Sequence, residues 1–389
     1  MTHRIVVLGA GYAGLGAAKR SAARLRSADV RVTLVNAVDS FVERVRLHQL
    51  AAGQHLPELP LKELLAGTGV DLVVARVTDI DAGAQRVRLD AAPHVLAYDT
   101  LVYALGSGSD VDGVPGVAEY ACTVADAEAA LRLRARIRDL EAGATVAVVG
   151  GGLTGIETAA ELAADRPDLR VGLVTRGEVG GWLSARARRH LRAAFGRLGV
   201  DTHEHTHVTE VTKAGLLLDD GREWAIEAVV WASGFRVPDL ARQAGFQVDG
   251  RDRMVVDPLL RSVSHPSVYG IGDAAAPRTA GGESRMSCQT ALPMGLYAAD
   301  VISDVLTGHE PKQVRLRYVW QNISLGRRDG VTQFTRADDS PLDGAVLTGR
   351  ASARFKEAVT RSTVFTMRHP GPWRPDRGRA LRESARAGT

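Results

Sequence analysis

Two sets of glycines with one spacing, Gly9-x-Gly11-x-x-Gly14 and Gly150-x-Gly152-x-x-Gly155, carry the clearest chemistry in this chain. In a turn of this kind the first glycine allows a tight bend, and the second lets the backbone approach a pyrophosphate. The third lets a helix pack closely on a strand, and the phosphates then rest on unbonded N–H groups at the helix N-terminus. One such turn can arise from packing alone. Two of them, each set between an apolar run and an Ala-rich stretch, point to two dinucleotides held at once and to electrons moving between them.

Those turns need strands and helices to hold them. Ile5-Val6-Val7-Leu8 and Val146-Ala147-Val148-Val149 read as the buried strands that enter the turns. Residues 31–35 and Arg170–Val174 read as the second strand of each pair. Buried runs over 100–104 and 228–232 follow, the first ending in a turn at Gly106 and the second in Ser233-Gly234. Shorter strands are predicted over 72–75 and 86–89, and helices over 125–140 and 289–306. From Tyr318 onward two strand-like pieces precede a basic helix over 350–368. The fold class is therefore α/β, with two Rossmann-like dinucleotide-binding domains and a small C-terminal region.

Composition narrows the partners. The 389 residues are 45% hydrophobic and 24% charged, with a net charge of +4, an ordinary globular balance. No Lys/Arg block carries interleaved aromatics, so nucleic acid is not an expected partner. No apolar run approaches a membrane span, and Met1-Thr2-His3-Arg4 runs straight into the first strand, so no signal peptide is expected. Two cysteines, Cys122 and Cys288, suit a reducing compartment without structural disulfides. The expectation is a cytoplasmic protein, with peripheral contact on the inner face of the membrane left open. His203, His205 and His207 alternate as if on one strand face, but nothing nearby completes a ligand set, and no metal is expected.

Four segments in order, Gly9-Ala10-Gly11-Tyr12-Ala13-Gly14-Leu15, residues 98–107, Gly150-Gly151-Gly152-Leu153-Thr154-Gly155-Ile156-Glu157 and Gly270-Ile271-Gly272-Asp273-Ala274, resemble the pyridine-nucleotide–disulfide oxidoreductases. Within that fold the chain is most similar to the single-subunit, type II NADH dehydrogenases. The resemblance covers about residues 3–306. It implies that the first unit holds FAD and the second NAD(P)H, the nicotinamide domain being an insertion. The domains would be 1–118 and 257–318 for FAD, 119–256 for NAD(P)H and 319–370 for a C-terminal interface region. Residues 371–389, rich in Arg, Gly and Pro, read as a disordered tail.

The resemblance also assigns residues. Gly9, Gly11 and Gly14 would take the FAD pyrophosphate, and Gly106 would border the flavin. Asn36 stands where an acid usually holds the ribose, and its amide oxygen can still accept from a hydroxyl. Asp273 fits either a bond to the ribityl chain or a helix N-cap. Gly150, Gly152 and Gly155 would take the nicotinamide dinucleotide. Arg176 replaces the acid that binds an adenosine ribose and offers donors to a 2′-phosphate, which tilts the preference toward NADPH. Glu157 would lie near nicotinamide and flavin, or would serve as an acid at a helix N-terminus. Disulfide-reducing relatives keep a Cys pair beside the flavin, which this chain lacks.

The expected acceptor is a quinone or another small molecule. Quinone-reducing relatives usually carry two Gln where Pro293 and Met294 stand here, so the acceptor site would be built from Met294 with Arg46 or His48. The early loop Arg44-Val45-Arg46-Leu47-His48-Gln49, with Arg46 in it, is open to two readings, a lining of donors at the flavin face or a surface loop and helix start. Phe355, Ala358, Val359, Ser362 and Thr366 share one face of the basic C-terminal helix. That face would meet the bilayer, the FAD domain or a homodimer partner. The reading is an FAD-dependent NAD(P)H dehydrogenase. Its rivals are a specialised flavin oxidase or reductase of a small metabolite and a flavoprotein that senses NAD(P)H without turnover.

Overall fold

Continuous β-branched and Leu-rich runs bury both faces of a strand, and here they build two parallel sheets. The computed structural model describes residues 2–26 and 28–369. In the first sheet His3–Leu8 is central, with Val30–Asn36 and Val70–Val74 on one side and Thr100–Tyr103 and Val268–Gly270 on the other. Val7 faces Leu34 and Val102 in register, and all three are fully buried. The last strand of this sheet comes from beyond the whole second sheet.

The second sheet repeats the plan. Thr145–Val149 is flanked by Arg170–Val174 and Asp201–His203 on one side and by Ala228–Trp231 and Ala121–Cys122 on the other. Each central strand feeds a glycine turn and a crossover helix, Tyr12–Arg24 in the first unit and Leu153–Asp165 in the second. A short antiparallel pair, Gly108–Ser109 with Phe235–Arg236, ties the two units together.

The long helix Cys288–Leu306 lies along Tyr12–Arg24. A Cβ on Gly295 would come within 2.1 Å of the Ala13 carbonyl oxygen, so only glycine permits the approach. Two charges are buried in the same contact and are paired there: Arg20 forks onto Asp300 at 2.9 and 3.0 Å, and Arg24 reaches Asp304 at 3.0 Å. Pairing of this kind is what makes burial of the guanidiniums tolerable.

Three elements depart from the sequence reading. The C-terminal region has three antiparallel strands, Trp320–Ser324, Gly330–Thr335 and Pro341–Thr348, before the helix Gly349–Arg368. Pro341 and Asp343-Gly344 hide the third from a pattern search. The histidines do not share a strand face: the strand stops at His203, and His205 has a positive φ of 53°. The His203 ring packs against Trp224 at 4.4 Å. The C-terminal helix turns Phe355 onto Trp320 and Phe334, with ring centroids 5.4 and 5.9 Å away. Farther along the same helix, Val364 and Met367 join the core around Tyr12–Arg24, one of the contacts expected for it, while Phe365 stays exposed. No helix among the described residues is long and apolar enough to cross a membrane. The tail expected over 371–389 lies outside the described residues.

Candidate functional site

Both glycine turns end at the carboxyl edge of their sheets, where open α/β folds bind ligands. Gly9 has φ +95°, and a Cβ there would sit 2.4 Å from the Ala104 carbonyl oxygen. A Cβ on Gly14 would lie 1.9 Å from the carbonyl oxygen of Gly9, so helix and turn touch backbone to backbone. Gly11 differs, since a Cβ there meets nothing within 4 Å. That open side lies at the N-terminus of Tyr12–Arg24, where Gly11 supplies no side-chain cap. The first-turn N–H groups thus face space that a pyrophosphate can fill. Asn36 shapes the same turn, accepting from the Ala10 N–H at 2.9 Å and donating to the Val38 carbonyl at 2.8 Å.

The second turn repeats this geometry. Added Cβ atoms on Gly150 and Gly155 would collide with the carbonyl oxygens of Ala232 and Gly150, at 2.6 and 1.8 Å. Gly152 faces open space. Thr175 closes against Gly151, and Arg176 follows it, exposed and without a bonded partner among the described residues.

Between the turns, three polar side chains converge. Asp273 accepts from Ser107 Oγ at 2.7 Å and from the Arg44 guanidinium at 3.5 Å. Gly106 (φ +70°) and Gly272 (φ +69°) make the bends that bring Ser107 and Asp273 together. Asp273 lies within the short turn Gly272–Ala274 and does not cap it. Arg44 belongs to the early loop that the sequence offered as a source of donors at the flavin face, and Ser107 follows Gly106 in a motif segment, though neither stood out as a partner of Asp273. The structure carries Arg44, not Arg46, to Asp273. Arg46 is tied to Glu43 at 3.2 Å, Gln49 at 3.2 Å and Glu357 at 2.9 Å, and so fixes the early loop to the C-terminal helix.

Glu157 anchors a second polar centre. Its Oε1 accepts from the Ser324 N–H at 2.9 Å and from Lys356 Nζ. His48 lies with Nδ1 3.7 Å from Glu157 Oε2, too far for a hydrogen bond, and its Nε2 has no partner among the described residues. Burial drives the His48 pKa down to about 4, and the pull of Glu157 does not offset it. The imidazole is therefore neutral at pH 7, and its contact with Glu157 is not an ion pair. One turn further along the helix, burial raises Glu161 to about 6, where Gln54 donates to it. Lys356, Ser324 and Gln54 were invisible in the sequence, because each reaches the site from a segment with no motif.

Lys356 also lines a cavity of about 830 Å³, walled by residues 45–54 of the early loop, 324–328 and the C-terminal helix. Met294 is not among its lining residues. It is 1% exposed in the core packed around Tyr12–Arg24. Cys288 opens the long helix as a free thiol, and burial pushes it up to about 11, so it stays protonated at neutral pH.

Two phosphate-ready turns on two parallel sheets define a two-dinucleotide oxidoreductase. The chain belongs to the pyridine nucleotide-disulphide oxidoreductase family, whose model matches residues 3–295. It is 35% identical over 390 residues to an NADH dehydrogenase-like protein of Mycobacterium tuberculosis, covering 93% of this chain and 94% of that one. It is 26% identical over 395 residues to the type II NADH:quinone oxidoreductase of Staphylococcus saprophyticus, covering 94% and 96%. The fold is also that of NDH2 from Plasmodium falciparum, with a TM-score of 0.78 at 17% identity over 97% of this chain and 99% of that one. The protein is an NAD(P)H-dependent flavoprotein oxidoreductase, with flavin and nicotinamide as its cofactors.

Proposed function

We propose that this enzyme is an NAD(P)H:quinone oxidoreductase with non-covalent FAD on the first turn and NADPH or NADH on the second. The observation that carries this reading is the Lys356–Glu157 pair. It joins the helix of the second glycine turn to the wall of a cavity large enough for a fused-ring quinone. Relatives named type II NADH:quinone oxidoreductases support the acceptor class.

The residues divide the work. The N–H groups after Gly11 and Gly152 would bind the two pyrophosphates, and Asn36 would offer its second lone pair to a ribose hydroxyl. Ser107, Arg44 and Asp273 would hold the polar chain of the flavin through a set of bonds that already exists. FAD, when bound, supplies the chemistry of taking a hydride from nicotinamide and releasing electrons to an acceptor. Lys356 would donate to a quinone carbonyl from the cavity wall, with Glu157 fixing its position. Neutral His48 and the buried Ser324 backbone would keep water from the same place. Arg176 would pair with a 2′-phosphate, which favours NADPH over NADH. Contact of the C-terminal region with a membrane surface or a second subunit would use faces other than the one Phe355 occupies.

Anaerobic stopped-flow measurement tests the reading. NADPH should bleach the flavin band at about the rate that supports turnover, and a naphthoquinone should then restore it. A reduced complex that persists in the presence of naphthoquinone would favour a sensor and refute a dehydrogenase.

A further inference from the structure

The cavity beside Lys356 is strongly biased in charge. Four of its cations are paired: Arg46 and Arg361 with Glu357, Arg327 with Asp165, and Lys356 with Glu157. Three more, Arg328, Arg350 and Arg354, have no carboxylate partner among the described residues. Glu357 is the one carboxylate among the lining residues, and the bond from Arg46 holds it below the ordinary carboxylate range. It is already shared between two guanidiniums, and none of those three arginines pairs with it among the described residues.

Arg350 and Arg354 stand one helical turn apart, on the same side of Gly349–Arg368. Arg328 approaches from the loop between the strands Trp320–Ser324 and Gly330–Thr335. Like charges gathered around a cavity repel one another, and a bound anion removes that cost. Planar guanidiniums suit planar or tetrahedral oxyanions, which they grip with two parallel bonds. Val45, Ala353 and Ala358 supply apolar wall for an aromatic body.

We propose that this cavity binds an aromatic molecule carrying a fixed anion, such as a carboxylate, sulfonate or phosphate. Arg328, Arg350 and Arg354 take the anion, and the ring points toward Lys356. The ring's role as electron acceptor rests on the quinone reading above; the anion site does not. An enzyme of this kind reduces charged aromatic acceptors in preference to neutral ones of the same shape.

Calorimetric titration of the oxidised, flavin-loaded enzyme with 2-naphthalenesulfonate and with neutral 2-naphthol tests the site without turnover. The sulfonate should bind about tenfold more tightly at low salt, and the gap should narrow below about threefold near 0.5 M salt. The variant R350A/R354A should bind the sulfonate about tenfold more weakly, while R350K/R354K, which keeps the charge, loses less. Equal affinity for the two compounds, or sulfonate binding unchanged in R350A/R354A, overturns the proposal. A phospholipid headgroup would use the same arginines, so sedimentation with phosphatidylglycerol vesicles forms the second arm. If R350A/R354A loses vesicle binding and keeps the sulfonate, the arginines serve a membrane and the proposal falls. Sulfonate binding without naphthoquinone turnover would refute the quinone reading and leave the anion site standing.

Discussion

Lys356 and Glu157, 199 residues apart in the chain, form a largely but not fully buried ion pair that locks the C-terminal helix onto the helix of the second glycine turn. The carboxylate also receives the Ser324 N–H, so both charges are compensated. Breaking such a pair leaves a charge without a partner in a poorly solvated place, at a cost of roughly 3 kcal/mol. Glu157→Gln and Lys356→Met should each lower stability by about that amount. The double variant should lose clearly less than the sum, because both charges are then gone. Urea unfolding of the flavin-loaded proteins measures the cycle, and strict additivity would show that the pair is not coupled.

Gly11 and Gly14 should fail in different ways. Gly11 has an ordinary negative φ, and its Cβ would enter open space. Gly11→Ala should therefore fold with a melting temperature near that of the parent apoprotein but emerge with little flavin. Gly14→Ala drives a methyl group into the Gly9 carbonyl oxygen and should yield little folded protein. Flavin absorbance and the yield of folded chain separate the two, and a flavin-replete Gly11→Ala protein would remove the pyrophosphate from this turn.

His48 makes stability depend on acid. Its pKa falls from an ordinary 6.5 to about 4 on folding because the ring is buried. Between those values the unfolded chain binds the extra proton, so stability is complete above pH 6.5 and declines as pH falls toward 4. The full contribution is of order 3 kcal/mol. Glu161, raised to about 6, works in the opposite direction between 4.5 and 6. The measurement is therefore a difference, with the pH–stability slope of the parent compared with that of His48→Gln. Parallel curves for the two proteins would show that His48 is not desolvated.

Arg176 should decide between the two nicotinamide dinucleotides. A charged hydrogen bond to a 2′-phosphate is worth roughly 1.5–3 kcal/mol, or at least tenfold in affinity. Arg176→Ala should raise the apparent constant for NADPH by about that factor and leave NADH almost unchanged. Equal effects on both would place the guanidinium in solvent.

What could be read from the sequence follows the reach of each interaction. The turns and their strands are local: Gly9 and Gly14 meet within six residues, and β-branched runs announce the strands. Asp273 was legible because it sits in a motif of its own. The pairing of Arg44 and Ser107 with Asp273 and the contact of Lys356 with Glu157 were not, since they depend on which distant segments meet. Pro293 and Met294 drew attention as departures from a family pattern, yet the structure buries Met294 in the core and builds the cavity from the early loop and the C-terminal helix. That helix was legible as a helix. Its partner was not, because amphipathicity records that a face is apolar and not what covers it.

The acceptor prediction follows from that helix. Phe355 packs into a cluster with Trp320 and Phe334, and Met367 joins the core, so Phe365 is the one exposed large hydrophobic on the helix among the described residues, too little to guide a lipid-dissolved tail to the cavity. Soluble naphthoquinones should therefore be reduced at least as well as quinones with long isoprenoid tails. Ala353 lines the cavity from the same helix, and Ala353→Trp would fill part of it with an indole. Reduction of the flavin by NADPH uses the turns and should keep its rate. Reoxidation by a naphthoquinone should slow by about tenfold or more, because a ring must fit where the indole now stands. Stopped-flow traces of the two half-reactions separate these effects. Reoxidation at the parent rate in Ala353→Trp would mean that the quinone approaches by another route.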